Sequence, residues 1–285
     1  ARDGGALTWV EYPWGCDFYL ETGQMMDRDA LERLQQADAI FLGAVGAPSV
    51  PDDVSVWELI LPIRQRFEQY VNLRPMRLLD GVTSPLAGRG PADVDRVFVR
   101  ENSVGEYAGI GRRLDIGTPH EMAEQTGVFT RAATERIVRY AFELAAARPR
   151  QLLASATKSN ALQYSMVMWD EIVEEISREY SGVEVRKYHV DALAARMVTN
   201  PQTLDVIVGS NLFGDILTDL GAAVSGSLGL APGGNINPSR EHPSMFEPIH
   251  GSAPDIAGRG IANPIGAVWA GAMMLEHLGH PEPAA

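Results

Sequence analysis

Short apolar runs of strand length alternate with longer segments of helical period along most of this chain of 285 residues. The strand-like runs lie at 39–43, 96–100, 151–155, 183–190 and 205–209, and residues 71–75 lead into another short strand. The clearest helical segment, 130–147, begins with the capping residue Thr130 and ends before Pro149. Such alternation is typical of α/β proteins, so the pattern predicts an α/β fold.

Weaker patterns predict the remaining elements. Residues 6–12 read as a further strand, and helical periods occur at 27–36, 56–70, from about 159, from 212 and at 264–278. The segment 226–247 is rich in Gly, Pro and Asn, which predicts an ordered loop without regular structure.

Charge and cysteine content limit the function. The formal net charge is −13, which disfavours a broad electrostatic grip on nucleic acid or on an anionic membrane. No run approaches the ~20 apolar residues of a membrane span. The single Cys16 excludes an internal disulfide and fits a reducing cytoplasm. An anionic small molecule remains possible if arginines or a bound cation gather locally.

Asp215 and Asp219 are four residues apart on a predicted helix, which places both carboxylates on one face within roughly 6 Å. A divalent cation would convert their repulsion into binding. Mostly apolar or small neighbours favour this interpretation over a solvated acidic face, because unpaired carboxylates are rarely placed among such residues.

Arg64, Arg74 and Arg100 lie near the ends of predicted elements, where a guanidinium needs an anionic partner. A substrate carboxylate would supply one, and an ordinary salt bridge is the alternative. Lys158 follows a predicted strand and is a candidate general base if its pKa is lowered; a surface lysine is the alternative. Tyr107 could relay a proton or could simply pack.

The segment from Glu247 to Asn263 combines several glycines with polar side chains, which suits close approach to a nucleotide. Asp255 would bind a ribose diol and repel a 2′-phosphate, which favours NAD over NADP. An ordered turn without a ligand is the alternative.

Four motifs together carry a family resemblance: Asn72–Pro75, Val99–Asn102, Asn211–Asp219 and Glu247–Asn263. In this order the chain resembles the β-decarboxylating dehydrogenases of the isocitrate/isopropylmalate dehydrogenase family. Within the family it is most similar to the branch that oxidises tartrate and D-malate. The resemblance covers nearly the whole chain.

The resemblance implies NAD- and metal-dependent oxidation of a 2-hydroxy diacid followed by loss of carbon dioxide. D-malate (giving pyruvate) or tartrate is the expected substrate, Mg²⁺ or Mn²⁺ the expected metal, and K⁺ a further candidate cofactor. The expected active unit is a homodimer in the cytoplasm, with active sites shared across subunits and with no nucleic-acid or membrane partner.

The resemblance also assigns roles to residues that match the family motifs. Lys158 matches the general base and Tyr107 the acid. The substrate carboxylates would be held by Arg64, Arg74 and Arg100. The metal would be bound by Asp191, Asp215 and Asp219, with Asp191 and Lys158 reaching across the dimer. The cofactor would contact Asn160, Glu247, His250, Gly251, Ser252, Ala253, Asp255, Ile256 and Asn263.

Substrate size depends on fewer positions. Isopropylmalate enzymes have a Glu and two Leu one turn before the first arginine, where this chain has Trp57, Ile60 and Leu61. Trp57 would fill the space that an isopropyl group needs, and Ala161 replaces a Val of those enzymes. A smaller diacid is therefore expected, with 3-isopropylmalate as the alternative substrate.

The expected architecture has two domains with a large shared mixed sheet. Residues 1–70 and 226–285 would form a discontinuous cofactor-binding domain, and residues 71–225 a domain for substrate, metal and dimerisation. The family pattern extends beyond both ends of the sequence, so a truncated chain is expected. A non-catalytic remnant and a metal-dependent hydrolase built on Asp215 and Asp219 are the competing hypotheses; the hydrolase leaves residues 247–263 without a role.

Overall fold

The computed structural model describes residues 7–281. The chain divides into two compact units: one comprises the residues up to Gln69 together with those from Ser227 onward, and the other comprises Tyr70–Gly226. Both units combine helices with mixed sheets, which confirms the predicted α/β class. None of the helices within residues 7–281 is long and apolar enough to cross a lipid bilayer.

The first unit is built on a sheet with the strand order β1-β10-β9, in which β1 and β10 are parallel and β10 and β9 antiparallel. Its strands are β1 (Ala39–Phe41), β9 (Pro232–Ile236) and β10 (Ser244–Pro248). Its helices are α1 (Cys16–Thr22), α2 (Ala30–Leu34), α3 (Asp52–Ser55), α4 (Leu61–Arg66) and α9 (Ile265–His277), with a π-helical turn at Val56–Ile60.

The second unit is built on a sheet with the strand order β2-β3-β8-β6-β7, parallel except for the β2–β3 pair. Its strands are β2 (Val71–Arg77), β3 (Asp95–Glu101), β6 (Leu152–Thr157), β7 (Glu184–His189) and β8 (Val206–Gly209). Its helices are α5 (Arg131–Ala147), α6 (Ser165–Ser177), α7 (Val190–Thr199) and α8 (Asn211–Val224). A separate hairpin pairs β4 (Gly105–Leu114) with β5 (Met122–Val128).

Helices α5 and α8 each begin after a side chain that caps the helix. The Thr130 hydroxyl accepts a hydrogen bond from Ala133 N, which satisfies a free amide at the start of α5. The Ser210 hydroxyl does the same for Phe213 N at the start of α8. Buried β6 and β8 lie side by side in the sheet and are apolar almost throughout, as a strand covered on both faces requires.

Four local predictions were wrong. Residues 7–12 form no strand, and residue 6 lies outside the described range. The segment 226–247 contains β9 and most of β10, because the bare Gly234 lets the Phe246 ring pack where a side chain would otherwise stand. The helix expected from about 159 begins at Ser165. The helix expected at 56–70 runs from Asp52 to Arg66 with a π turn, because Pro62 has no amide hydrogen to offer a regular helix.

Arg96 of β3 is an unusual core residue. Its side chain is 1% exposed, and none of the described residues accepts a hydrogen bond from its three guanidinium nitrogens. Burial lowers the pKa of Arg96 to about 10. Because the unfolded chain holds this proton more tightly, the cost to folding is fully present at neutral pH and fades only as the pH rises above about 10.

Arg96→Met should therefore raise the free energy of unfolding by about 1–4 kcal/mol at neutral pH, since an apolar side chain of similar length removes a buried charge without a partner. Denaturant unfolding measures the change. Arg148→Met is the matched control and should lower the free energy of unfolding. Arg148 Nε donates to the fully buried Asp205 at 2.7 Å, so this substitution removes the partner of a buried carboxylate. A destabilised Arg96→Met variant would contradict this account of the core.

Candidate active site

Strand pairing brings two of the predicted arginines together in the second unit. In the β2–β3 register, Arg74 lies opposite Phe98 and Asn72 opposite Arg100. Opposite residues share a face of the sheet, so Arg74 and Arg100 are diagonal neighbours on one face. Both side chains are buried. Two guanidinium groups at this depth need acceptors, and α8 supplies them.

Helix α8 packs closely on this face because two of its residues have no side chain. A Cβ on Gly214 would stand 2.6 Å from both Cβ and Cγ of Arg100, and a Cβ on Gly221 would stand 3.0 Å from the Phe98 ring. Any larger residue at 214 would displace the stem of Arg100. The two glycines are seven residues apart, about two helical turns, and so lie on the same face of α8.

The Asp215 carboxylate is the centre at which the candidate residues meet. Its Oδ1 accepts a hydrogen bond from Arg100 Nη1 and lies 3.6 Å from Arg74 Nη2. Its Oδ2 accepts a hydrogen bond from the Tyr107 hydroxyl at 3.0 Å. Burial, and secondly the negative charge of Asp215, raises the pKa of Tyr107. The phenol is therefore protonated throughout the neutral range.

Asp219 lies one turn further along α8. Burial raises the pKa of Asp219, and the nearby charge of Asp215 raises it further against the opposing effect of Arg74. A divalent cation relieves this repulsion, and carboxylate oxygens are suitable donors for Mg²⁺ or Mn²⁺. The donor chemistry therefore fits a metal. Within residues 7–281 of a single chain, however, no three His, Cys, Asp or Glu side chains converge into a metal site.

Lys158 and Asp191 form a separate pair in the same unit. The parallel strands β6 and β7 end side by side, with Thr157 opposite His189, so the residues that follow them are neighbours. Lys158 Nζ lies 2.7 Å from Asp191 Oδ1, and this hydrogen bond lowers the pKa of the Asp191 carboxyl. Asn160, two residues after Lys158, is exposed.

In the first unit, Arg64 and Glu247 form a buried ion pair. Arg64 Nη2 donates to Glu247 Oε1 at 2.9 Å, and Asn235 Nδ2 donates to the same oxygen at 2.8 Å. Trp57, in the π turn that precedes Arg64, is 46% exposed. In that turn the Leu61 amide bonds to the Val56 carbonyl, five residues back. Such turns are frequent at functional positions.

The predicted nucleotide loop is an exposed segment after β10. Its backbone enters the left-handed region at Ala253, Gly258 and Gly260, with φ values of 46°, 74° and 66°. Ser252 lies against another glycine turn, since a Cβ on Gly46 would stand 3.3 Å from Ser252 Oγ. Of the other predicted residues of this loop, Gly251, Asp255 and Asn263 are exposed, whereas His250 and Ile256 are half-buried. Exposed polar groups beside two turns fit a nucleotide.

Three further residues, to which the sequence motifs attach no predicted role, hold this arrangement. Asn211 and Thr218 hydrogen-bond Arg100 and Arg74 respectively. Glu106 of β4 accepts from Ser210 Oγ at 2.7 Å and from Leu212 N at 3.1 Å, which fixes the start of α8. Asn211 and Thr218 belong to a motif that carried the resemblance, and that motif was the available signal.

Comparison with known proteins identifies the family of this chain. The family model described as isocitrate/isopropylmalate dehydrogenase matches residues 1–285. The chain is 55% identical over 273 residues to a probable tartrate dehydrogenase/decarboxylase of Agrobacterium vitis, covering 96% of this chain and 76% of that protein. It is 54% identical over 281 residues to the decarboxylating D-malate dehydrogenase of Escherichia coli K12, covering 98% and 78%.

Structural comparison leads to the same family. The fold superimposes on the crystal structure of isocitrate dehydrogenase from Methylococcus capsulatus with a TM-score of 0.86 at 38% sequence identity, covering 95% of this chain and 77% of that one. The predicted fold class is therefore confirmed, and so is the predicted class of enzyme, an oxidoreductase that acts on CH–OH groups. The chain belongs to the isocitrate/isopropylmalate dehydrogenase family and is a decarboxylating hydroxy-acid dehydrogenase.

Proposed function

We propose that this chain oxidises and decarboxylates a small 2-hydroxy diacid, D-malate or tartrate, with NAD and a divalent metal. The observation that carries the proposal is the convergence of Arg74, Arg100 and Tyr107 on the Asp215 carboxylate. Two buried guanidinium groups suit an anionic substrate, and a protonated phenol beside them suits proton transfer. Arg64 is a further candidate for holding a carboxylate.

Two exogenous groups complete the chemistry. A divalent cation at Asp215 and Asp219 would act as a Lewis acid, and NAD would accept the hydride from C2. The loop at 250–263, with Glu247, would hold the cofactor, and the exposed Asp255 carboxylate would bind the ribose diol. The same carboxylate would repel a 2′-phosphate, which favours NAD over NADP. Asn160 would lie near the nicotinamide.

The protein side chains would carry the protons. In the oxidation, Lys158 accepts the hydroxyl proton of the substrate while C2 loses its hydride, which leaves a 3-carboxy-2-keto acid. The bond to the departing carboxylate then breaks, carbon dioxide leaves, and the electron pair remains on the enolate of the keto acid. Tyr107 donates its phenolic proton to C3 of that enolate, which yields pyruvate when the substrate is D-malate.

We propose a homodimer because one chain brings only part of this set together. Asp191 is paired with Lys158, and within the described residues it joins no three-carboxylate cluster with Asp215 and Asp219. A neighbouring subunit that contributes Lys158 and Asp191 as a unit would supply both the missing metal ligand and the base. The site would then hold the partner's Lys158 and the partner's Asp191 beside Asp215.

The choice of substrate is supported by Trp57. Its exposed indole in the π turn before Arg64 is suited to occupy the volume that an isopropyl substituent would require. The names of the relatives, a tartrate dehydrogenase/decarboxylase and a D-malate dehydrogenase, agree with a small diacid.

The test is initial-rate reduction of NAD by the purified chain with D-malate, tartrate or 3-isopropylmalate in parallel. Each substrate is assayed with Mn²⁺, with Mg²⁺ and with a chelator, with and without K⁺, and NADP replaces NAD in a matched series. We expect chelator-sensitive reduction of NAD, fastest with D-malate or tartrate. Fastest reduction with isopropylmalate would overturn the substrate proposal, and chelator-insensitive reduction would overturn the metal proposal.

A further inference from the structure

The hydroxyl of Thr218 is buried between a candidate substrate arginine and the backbone of a candidate metal ligand. Thr218 is 0% exposed. Its Oγ1 accepts a hydrogen bond from Arg74 Nη1 at 2.6 Å and donates one to the Asp215 carbonyl oxygen at 2.9 Å. Because donating to that carbonyl fixes the hydroxyl hydrogen, the oxygen lone pairs are left directed at Arg74.

Asn211 makes the corresponding contacts seven residues earlier. Its Oδ1 accepts from Arg100 Nη2 at 2.7 Å and from Arg100 Nε at 3.1 Å, while its Nδ2 donates to the Val104 carbonyl at 3.0 Å. The amide is therefore held at both ends, and it binds two of the guanidinium nitrogens at once. Asn211 is also buried.

We propose that Thr218 and Asn211 are positioning residues that hold Arg74 and Arg100 in the geometry required to bind a diacid. They lie on the same face of α8 as Gly214, whose missing side chain admits the stem of Arg100. A guanidinium held in place before the substrate arrives loses less rotamer entropy on binding it. This inference rests on the proposed function, because the two arginines are its substrate ligands.

A packing role and a positioning role predict different results at Thr218. Valine has nearly the same shape as threonine but cannot accept a hydrogen bond, whereas serine keeps the hydroxyl and loses a methyl group. If the residue only fills space, Thr218→Val is harmless and Thr218→Ser is the worse change. If it positions Arg74, the order is reversed.

The experiment compares Thr218→Val with Thr218→Ser and with the unmodified chain. We expect Thr218→Val to raise KM for D-malate about 10- to 100-fold, as loss of a hydrogen bond to a charged group implies, with KM for NAD unchanged. Thr218→Ser should keep KM for D-malate within about threefold of the value for the unmodified chain. Asn211→Leu should also raise KM for D-malate selectively.

Calorimetric titration with D-malate in the absence of NAD gives a readout that does not depend on turnover. If the unmodified chain binds D-malate but does not reduce NAD, the proposed function fails while the dissociation constants still test the positioning role. An unchanged dissociation constant in Thr218→Val, or equal losses in the two Thr218 variants, would overturn the inference, as would absence of D-malate binding to the unmodified chain. If thermal melting shows that Thr218→Val is unfolded, Thr218→Ala takes its place.

Discussion

Replacing Lys158 with alanine should lower kcat by about two to four orders of magnitude while binding of NAD and Mn²⁺ is largely retained. The magnitude is the usual contribution of a general base. The base is needed only when the substrate hydroxyl gives up its proton, so its loss affects the chemical step and leaves cofactor binding in place. Steady-state kinetics and calorimetric titration of NAD and Mn²⁺ measure the two effects separately.

Lys187→Ala is the matched control for this prediction. Lys187 is likewise a lysine paired with an aspartate, since its Nζ lies 3.3 Å from Asp170 Oδ2, and it takes no part in the proposed chemistry. We expect kcat of this control within about twofold of the unmodified chain, as for most surface substitutions. Near-normal turnover in Lys158→Ala would exclude the assigned role.

Asp215→Asn should abolish turnover and weaken binding of Mn²⁺ by at least the roughly 100-fold that loss of an outer-shell partner can cost a metal site. The substitution preserves size but removes the charge that Arg100, Arg74 and Tyr107 all face. Without that carboxylate, the pKa of Tyr107 should also move back toward its ordinary value, because the charge of Asp215 is one of the causes that raise it.

Titration of Mn²⁺, followed by electron paramagnetic resonance, measures the metal affinity of this variant directly. Glu175→Gln, which removes an exposed carboxylate on α6 that pairs with Arg131, serves as the control and should leave Mn²⁺ binding unchanged. NAD affinity should be close to normal in both variants. Wild-type Mn²⁺ affinity in Asp215→Asn would exclude the metal site on α8.

The elements predicted best are those whose hydrophobic pattern and caps agree. Strand β3 and helix α5 lie within a few residues of their expected bounds because a buried apolar run and a Thr cap are local signals. The position of Asp215 and Asp219 on one face of a helix could equally be predicted from the sequence, because helical spacing alone requires it. The family resemblance then supplied candidate roles that spacing could not.

The elements that were missed lack a clear hydrophobic pattern in the sequence. The hairpin β4–β5 is largely exposed, so it carries little of the apolar alternation that marks a buried strand. Strand β9 contains Pro232, Gly233 and Gly234, a composition typical of loops. In the structure, the Phe246 ring packs over Gly234, where a side chain would otherwise stand. In β9, tertiary packing overrode local propensity.

The positioning contacts of α8 were also hidden from the sequence. Thr218 faces Arg74 because of the β2–β3 register and because Gly214 and Gly221 allow α8 to pack closely on the sheet. Neither the register nor the packing can be predicted from residue spacing alone. The motif marked these residues as a group. The structure adds which of them contact an arginine.

The central claim, that this chain couples oxidation of a hydroxy diacid to its decarboxylation, is tested most directly by stoichiometry. The measurement is the amount of NADH and of carbon dioxide formed from D-malate by the purified chain with Mn²⁺. The account predicts equal amounts of the two, with pyruvate as the remaining product and no reaction in the presence of a chelator. NADH formed without carbon dioxide, or carbon dioxide formed without NADH, would contradict it.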